Sequence, residues 1–593
     1  MASRAPTTSV VVARPQPRAA RIHPVLVSTA LASLTALAYL AVRPRTPDFA
    51  AQVYRSDLFG RLQFTAWDGA WYSGHHLPGY SVLFPPLGWA LSPELVAALA
   101  SVVAATAFAW LVEAGFGAEA RPGSWWFATL GTASELLAGR LTFVLGLAFG
   151  LIAAVALAVG RPAAGAGLAA ATGLASPVAA LFLALAGAAE ALGRAAGGAL
   201  RRALPALAMA AAALVPVLVL ALLFPEGGRE PFYKPFFITT LGMTVAAALL
   251  LPRRSPRALV AGVALYALGT LAAYEASTPV GSNVARLGTL VAGPLLACVL
   301  LSARSVPRPR AALAAAVAAY ALWHFPPWFE RGALVGSALM LAGMLRRPSS
   351  RLWRVGVIAG LLPFAIFQWS QSWVDLKRAS SDPATHSGYF APLLRFLQRT
   401  DRRVVWRIEI PPMRDHWESV YVAPRYPLAR GWERQLDTRD AALFYRPHAR
   451  RHYRAWLEAN AVRFVAFPDA PLDFAAGREA AILRHPPRYL RLRGRLRHWR
   501  IYEVTPAPPL VVPEARARIT ARALGPQSVE LVARTPGSAL VRVRYTRYWR
   551  LRGGCVSPSG DFTRITAART GRLVLAISVT PARLFGGASR RCG

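Results

Sequence analysis

Between Pro24 and Trp373 the chain alternates apolar stretches, many of them about twenty residues long, with short polar gaps, and twenty helical residues is what a bilayer core requires. The pattern predicts helices at 24–42, 92–113, 124–137, 141–160, 163–172, 176–190, 203–224, 236–252, 257–274, 288–303, 311–324, 331–345 and 353–373. The stretches 163–172 and 176–190 are short, and Thr172, Gly173 and Pro177 lie between them, so they are expected to form a helical pair turning at one face. After Trp373 the periodicity changes. Residues 374–505 mix apolar runs such as Val404–Ile410 and Val462–Phe467 with helical stretches such as Tyr389–Gln398 and Tyr453–Asn460, an α/β pattern. Residues 506–593 carry short alternating strands, Ser528–Ala533, Ala539–Tyr545 and Gly571–Val579, between Pro and Gly turns, which predicts a β-sandwich. With 1–22 read as a basic disordered arm and 23–373 as the membrane module, the expected fold is a polytopic α-helical membrane protein of about 11 to 13 transmembrane helices followed by an extracytoplasmic α/β plus β-sandwich domain.

Charge gives the pattern an orientation. Arginines cluster in alternate gaps: Arg4, Arg14, Arg18 and Arg21; Arg194 with Arg201 and Arg202; Arg253 to Arg257; Arg304 to Arg310; Arg346 to Arg354. The positive-inside rule makes these gaps cytoplasmic, with the N-terminus, and places the domain after Trp373 outside the plasma (inner) membrane. The intervening gaps, among them a long first outer loop at 43–91, hold acids, aromatics, His and Pro. The net charge of +39 invites a nucleic-acid reading, but Lys234 and Lys377 are the only lysines and the arginines are dispersed, so anionic lipid headgroups are the expected partners and nucleic acid is not.

Candidate chemistry therefore belongs on the outer face, where an ionisable group avoids the cost of membrane depth. Asp48 follows the first helix and is the leading candidate for a general base, against a plain reading as a helix-initiating Asp; Asp57 and Asp68 in the same loop are alternatives. Trp71, Tyr72, His75, His76 and Tyr80 form a dense aromatic, glycine and histidine run suited to a sugar or lipid headgroup, or else to an interfacial belt. The paired histidines leave a divalent metal with Asp48 or Asp57 open, although no wider ligand spacing supports a metal site and no cofactor is expected. Arg140 and Arg286, the latter behind Ser282 and Asn283 at a helix start, suit a phosphate; Arg140 equally suits a pair with Glu135. The stretch Glu226–Lys234 suits a mobile substrate loop but reads better as a polar hairpin between helices. Trp417, Glu418, Trp432 and Glu433 are a weaker candidate set for acceptor binding. Walker, GxSxG and zinc patterns are absent from the sequence. Cys298 falls in a helix, whereas Cys555 and Cys592 share the outer domain, where a disulfide between them would close a loop of about 36 residues.

This layout resembles the GT-C superfamily of integral membrane glycosyltransferases, most concretely at Asp48-Phe49-Ala50-Ala51-Gln52 and Trp71-Tyr72-Ser73-Gly74-His75-His76, which look like stretches of uncharacterised actinobacterial membrane proteins of this type. The resemblance implies a polyprenyl-phosphate sugar donor, an acceptor in the cell envelope (glycan, lipid or protein) and a catalytic acid in the first outer loop, which maps onto Asp48. The chain lacks the paired Asp-Asp or Asp-Glu of several such families. The implied mechanism is inverting displacement, with Asp48 as base and Arg286 and Arg140 opposite the leaving phosphate. A transporter or lipid flippase, or a non-catalytic glycan-binding scaffold, are the other classes open to the sequence.

Overall fold

The first helix, α1 (Ile22–Val42), ends four residues before α2 (Pro47–Leu62), because Pro47 and Asp48 supply a first turn with a preset φ and a carboxylate at the positive end of the helix. In this computed structural model the described residues run from 22 to 585, apart from 199, 305–307, 325–331, 333, 340–341, 343–350 and 401–404. The basic arm, about half of the apolar stretch 331–345 and Cys592 lie outside the described residues. Helix α2 is followed by the two-stranded hairpin β1 (Trp67–Asp68) and β2 (His75–His76) and by α3 (Phe84–Leu91).

The bundle continues with α4 (Pro93–Phe116), α5 (Arg121–Trp126) and α6 (Thr132–Leu137) joined by a π-helical turn, α7 (Leu141–Ala158), α8 (Pro162–Ala175), α9 (Pro177–Ala195), α10 (Leu200–Leu223), α11 (Lys234–Leu250), α12 (Arg257–Glu275), α13 (Ala285–Ala303) and α14 (Arg308–Trp323). A bent pair, Arg351–Gly360 and Leu362–Ser380, closes it. Among the described residues seven helices are long and apolar enough to cross a membrane, and the bent pair makes eight. Hydropathy alone counts more because α8, α11 and α14 are shorter than a full crossing and the α5–α6 rod is broken by its π turn. Conversely α9 extends to Ala195 and is long enough by itself, so only its partner α8 is short. The turn between them accepts hydrogen bonds at Leu174 O from the amides of Val82 and Leu83, which puts it at the end of the bundle that carries the first outer loop.

That end also receives the C-terminal domain. Its first half is a mixed sheet in the order β3 (Arg407–Glu409), β4 (Val462–Pro468), β6 (Trp499–Val504), β5 (Leu490–Leu496), with β3 parallel to β4 and the other pairs antiparallel. The second half is a sandwich of two antiparallel sheets. One has the order β12 (Gly554–Ser559), β13 (Phe562–Ala567), β10 (Gly537–Arg544), β7 (Val511–Pro513); the other β11 (Trp549–Leu551), β14 (Gly571–Ile577), β9 (Ser528–Thr535), β8 (Arg518–Leu524). Alternate residues such as Val529, Leu531, Val541, Ile565, Leu573 and Leu575 fill the core between them, the period-2 pattern of strands with one buried face. Cys555 on β12 is disulfide-bonded, while Cys298 is free and buried in α13.

Among the described residues, Arg194, Arg201, Arg202, Arg257, Arg304 and Arg354 of the arginine clusters lie at the opposite end of the bundle. The C-terminus of α10 meets the sandwich, where Arg547 and Tyr548 donate to Leu223 O at 2.8 and 2.5 Å. Its N-terminus carries Arg201 and Arg202, beside Arg194 and Arg257. Arg286 starts α13, and Arg304 ends it and pairs, with Arg354, to Glu119.

Candidate active site

The site is built where α1 hands over to α2 beneath the C-terminal domain. Two tryptophans of that domain grip the handover through the backbone: Trp417 Nε1 donates to Arg45 O at 3.1 Å and Trp432 Nε1 to Pro47 O at 2.9 Å. Arg45 returns the contact, donating to Thr385 O at 2.6 Å and to the Tyr421 hydroxyl at 2.9 Å. Asp48 is thereby fixed through the backbone of the residues just before it. From the bundle, Gly139 closes against the start of α2. Its φ of +75° is in the left-handed region, and a Cβ there would stand 2.6 Å from Phe49 N and 2.9 Å from Thr46 Oγ1.

Asp48 Oδ2 lies 3.6 Å from Arg286 Nη2 and 4.0 Å from Arg140 Nε, with Glu135 Oε1 3.4 Å from Arg140 Nη1. The three side chains are 27%, 21% and 15% exposed, so they are desolvated enough to interact strongly yet open to a ligand. Residues from the first outer loop, the α6–α7 corner and the start of α13 converge here, three segments remote in sequence. Arg140 thus uses both of the partners considered for it, since it reaches Glu135 and Asp48 together. Asn283 lies in the 3₁₀ turn Gly281–Val284, three residues before Arg286, and it is the neighbouring Ser282 whose hydroxyl bonds, to Glu230 Oε1 at 3.1 Å.

Glu230 is the acid that the sequence reading passed over. Gly281, at φ +40°, packs so closely on Glu230 O that a Cβ would overlap it, and Glu230 N donates to Thr278 O at 3.0 Å. The stretch read as a polar hairpin is therefore folded against the mouth of α13. Burial pushes the Glu230 carboxyl up to about 7, against the pull of Arg434 and Arg286, with Asp48 also within electrostatic reach. Beyond it, His416 lies between Asp473 and Glu418, at 3.7 and 3.6 Å, and its contacts with them hold its pKa up, to about 9, despite burial.

The remaining candidates divide. Tyr80 stands beside Asp48: its hydroxyl accepts from Gln52 Nε2 at 2.9 Å, and Gln52 is one helical turn after Asp48. Trp71, Tyr72, His75 and His76 do not line an open surface; all are buried in the seam between the loop and the C-terminal domain, so the direct substrate contact expected of them gives way to packing. His75 stacks on Trp71 at 5.6 Å, and burial drives its pKa well below the ordinary histidine value. His76 bonds to Thr546 Oγ1 at 3.0 Å and Pro225 O at 3.1 Å. As successive residues of β2 the two rings point to opposite faces, so they do not converge with Asp48 or Asp57 on one ion; no metal-holding group of three or more His, Cys, Asp or Glu occurs among the described residues. Asp68 is buried and accepts from the Tyr54 hydroxyl at 2.8 Å and Ala70 N at 2.9 Å, with burial pushing its carboxyl up to about 6. Asp57 is exposed and, nine residues after Asp48, projects from the opposite side of α2. Glu418 and Glu433 are buried in ion pairs with His416 and Arg55, whereas Trp417 and Trp432 are the members of that set that touch the Asp48 segment.

An apolar cavity of about 270 Å³ lies between α9, α11, α12 and α13, lined by Phe182, Met243, Val263 and Leu295 among others. Leu287 and Gly288, the two residues after Arg286, are part of its wall. The wall of the cavity thus begins one residue after Arg286 in α13.

No protein-family model matches the chain, and no curated protein matches it. Solved structures similar to it include ArnT from Cupriavidus metallidurans bound to undecaprenyl phosphate, at a TM-score of 0.42 and 15% identity, covering 82% of this chain and 98% of that one. The same protein in its apo state gives 0.42 and 15%, covering 81% and 97%. At this level the likeness assigns neither activity nor substrate to the chain.

Proposed function

We propose that the protein is an inner-membrane glycosyltransferase of GT-C type that moves a sugar from a polyprenyl-phosphate donor to an acceptor in the cell envelope, with the N-terminus cytoplasmic and the C-terminal domain outside. The observation that carries the reading is the contact of Asp48 with Arg286 and Arg140, with Leu287 and Gly288, the residues after Arg286, in the wall of an apolar cavity. A polyprenyl phosphate has the matching chemistry, an apolar chain for the cavity and an anion for the guanidinium groups. Both arginines approach Oδ2 of Asp48, which leaves Oδ1 for the acceptor proton. As the acceptor oxygen bonds to the anomeric carbon, its proton passes to Asp48 and the bond from that carbon to the phosphate oxygen breaks. The electron pair leaves with the phosphate, whose charge Arg286 and Arg140 neutralise. Attack opposite the leaving group inverts the anomeric centre. Glu230, poised near neutrality beside Ser282, and the faces of Trp432 and Tyr80 would orient sugar hydroxyls around this axis.

The test is transfer from a panel of polyprenyl-phosphate sugars by the full-length protein in nanodiscs. Wild type should transfer from at least one donor, and Arg286→Ala should raise the donor KM or slow departure by about tenfold or more. Absence of transfer from every donor, with the protein correctly inserted, would favour a transporter or a glycan-binding scaffold.

A further inference from the structure

A second cavity, of about 280 Å³, lies between α2, α3, the end of α10 and the sandwich. Its walls are largely apolar, including Phe59, Phe64, Leu77, Pro85, Phe224 and Val579. Arg55 is the one charged residue lining it, and Arg55 is only 4% exposed. The guanidinium is positioned on every side but one. Its face lies 3.6 Å from the Tyr80 ring centre and its Nη2 pairs with Glu433, while Nε and Nη1 are buried without a hydrogen-bond partner. Two buried donors without acceptors are costly, and a ligand rich in acceptor oxygens would relieve them. The cavity is bordered by a strongly apolar rim: Phe64 and Trp89 are 71% and 55% exposed, and α3 presents Leu87, Trp89 and Leu91 outward, as expected of a helix lying in a membrane interface.

We infer that this cavity seats an anionic lipid, its acyl chain along the Phe59, Phe64 and Phe224 walls and its phosphate on Arg55. Asp48, Gln52 and Arg55 lie on one face of α2, and seven residues of helix set the backbones of Asp48 and Arg55 about 10 Å apart along its axis. That distance places a headgroup hydroxyl of a lipid held at Arg55 within reach of the base. Resting on the transferase reading above, the acceptor is therefore a lipid, entering through a different cavity from the donor's.

The site is tested without donor. Full-length protein in phosphatidylcholine nanodiscs is photolabelled with phosphatidylglycerol carrying a photoreactive acyl chain, and labelled peptides are quantified by mass spectrometry. Label should fall on the 58–66 and 77–86 segments, drop at least tenfold in both Arg55→Gln and the wall-filling Ala66→Phe, and persist in Asp48→Asn and Arg286→Ala. Ala66→Phe leaves the pair to Glu433 untouched, so a folding defect of the Arg55 variant does not decide the result. Equal labelling by a phosphatidylcholine probe, insensitivity to both pocket variants, or loss in Arg286→Ala would overturn the site. The acceptor role is read separately in the transfer assay: Ala66→Phe should raise the KM for a lipid acceptor and leave that for the donor unchanged, and the reverse would overturn it. Failure of wild type to transfer at all would remove the transferase reading and leave the labelling result standing.

Discussion

Asp48 and its two arginines could be singled out one residue at a time, because each stands at the end of an apolar run where a charge has no cheap structural reason to be. Their mutual contact was not legible, since nothing in spacing ties residue 48 to residues 140 and 286. Glu230 was missed for the same reason: its neighbours Ser282 and Arg434 are supplied by the fold. His75 and His76 misled in the other direction, because histidines that are exposed and chemically active and histidines packed under a domain have the same local sequence. Glu230 gives a prediction at this scale. Its pKa is raised from 4.5 to about 7, so its protonated form stabilises the fold fully below pH 4.5 and that contribution is lost as pH rises towards 7. Glu230→Gln should therefore match wild type in melting temperature near pH 4.5 and exceed it at pH 8. A difference that does not change with pH, measured by thermal unfolding in detergent, would contradict the assignment.

Elements were read better than their ends. The apolar runs became helices almost throughout, since a 3.6-residue period is not needed when every face is apolar and length alone carries the signal. The strands of the sandwich were legible from alternation, and the α/β half from its mixture of runs. What was not legible was the π turn within the α5–α6 rod and the extension of α9 to Ala195, which hydropathy does not mark. The α6–α7 corner yields the second prediction. Gly139→Val combines a forbidden φ with a Cβ driven into the α2 backbone, costing about 1 to 3 kcal/mol of stability. Because Asp48 moves with that backbone, transfer should fall by at least about tenfold in correctly inserted protein. Retained activity would mean that the corner does not position Asp48.

At the scale of the molecule, the bundle separates a face rich in arginine from one covered by the C-terminal domain, and the positive-inside rule then predicts which is cytoplasmic. Single cysteines at Arg254 and Ser381, both exposed, report the two ends in intact cells. An impermeant thiol reagent should label the Ser381→Cys protein and spare Arg254→Cys, and the opposite pattern would invert the topology and remove the outer-face site with it.

The central claim is that Asp48 takes the acceptor proton. Asp48→Asn keeps the shape of the side chain and its place beneath Trp417 and Trp432 but removes proton acceptance, so kcat for sugar transfer in nanodiscs should fall about 10²- to 10⁴-fold. Donor affinity, read from the same titrations, should change far less than in Arg286→Ala. Near-normal kcat in correctly inserted Asp48→Asn protein would contradict the account.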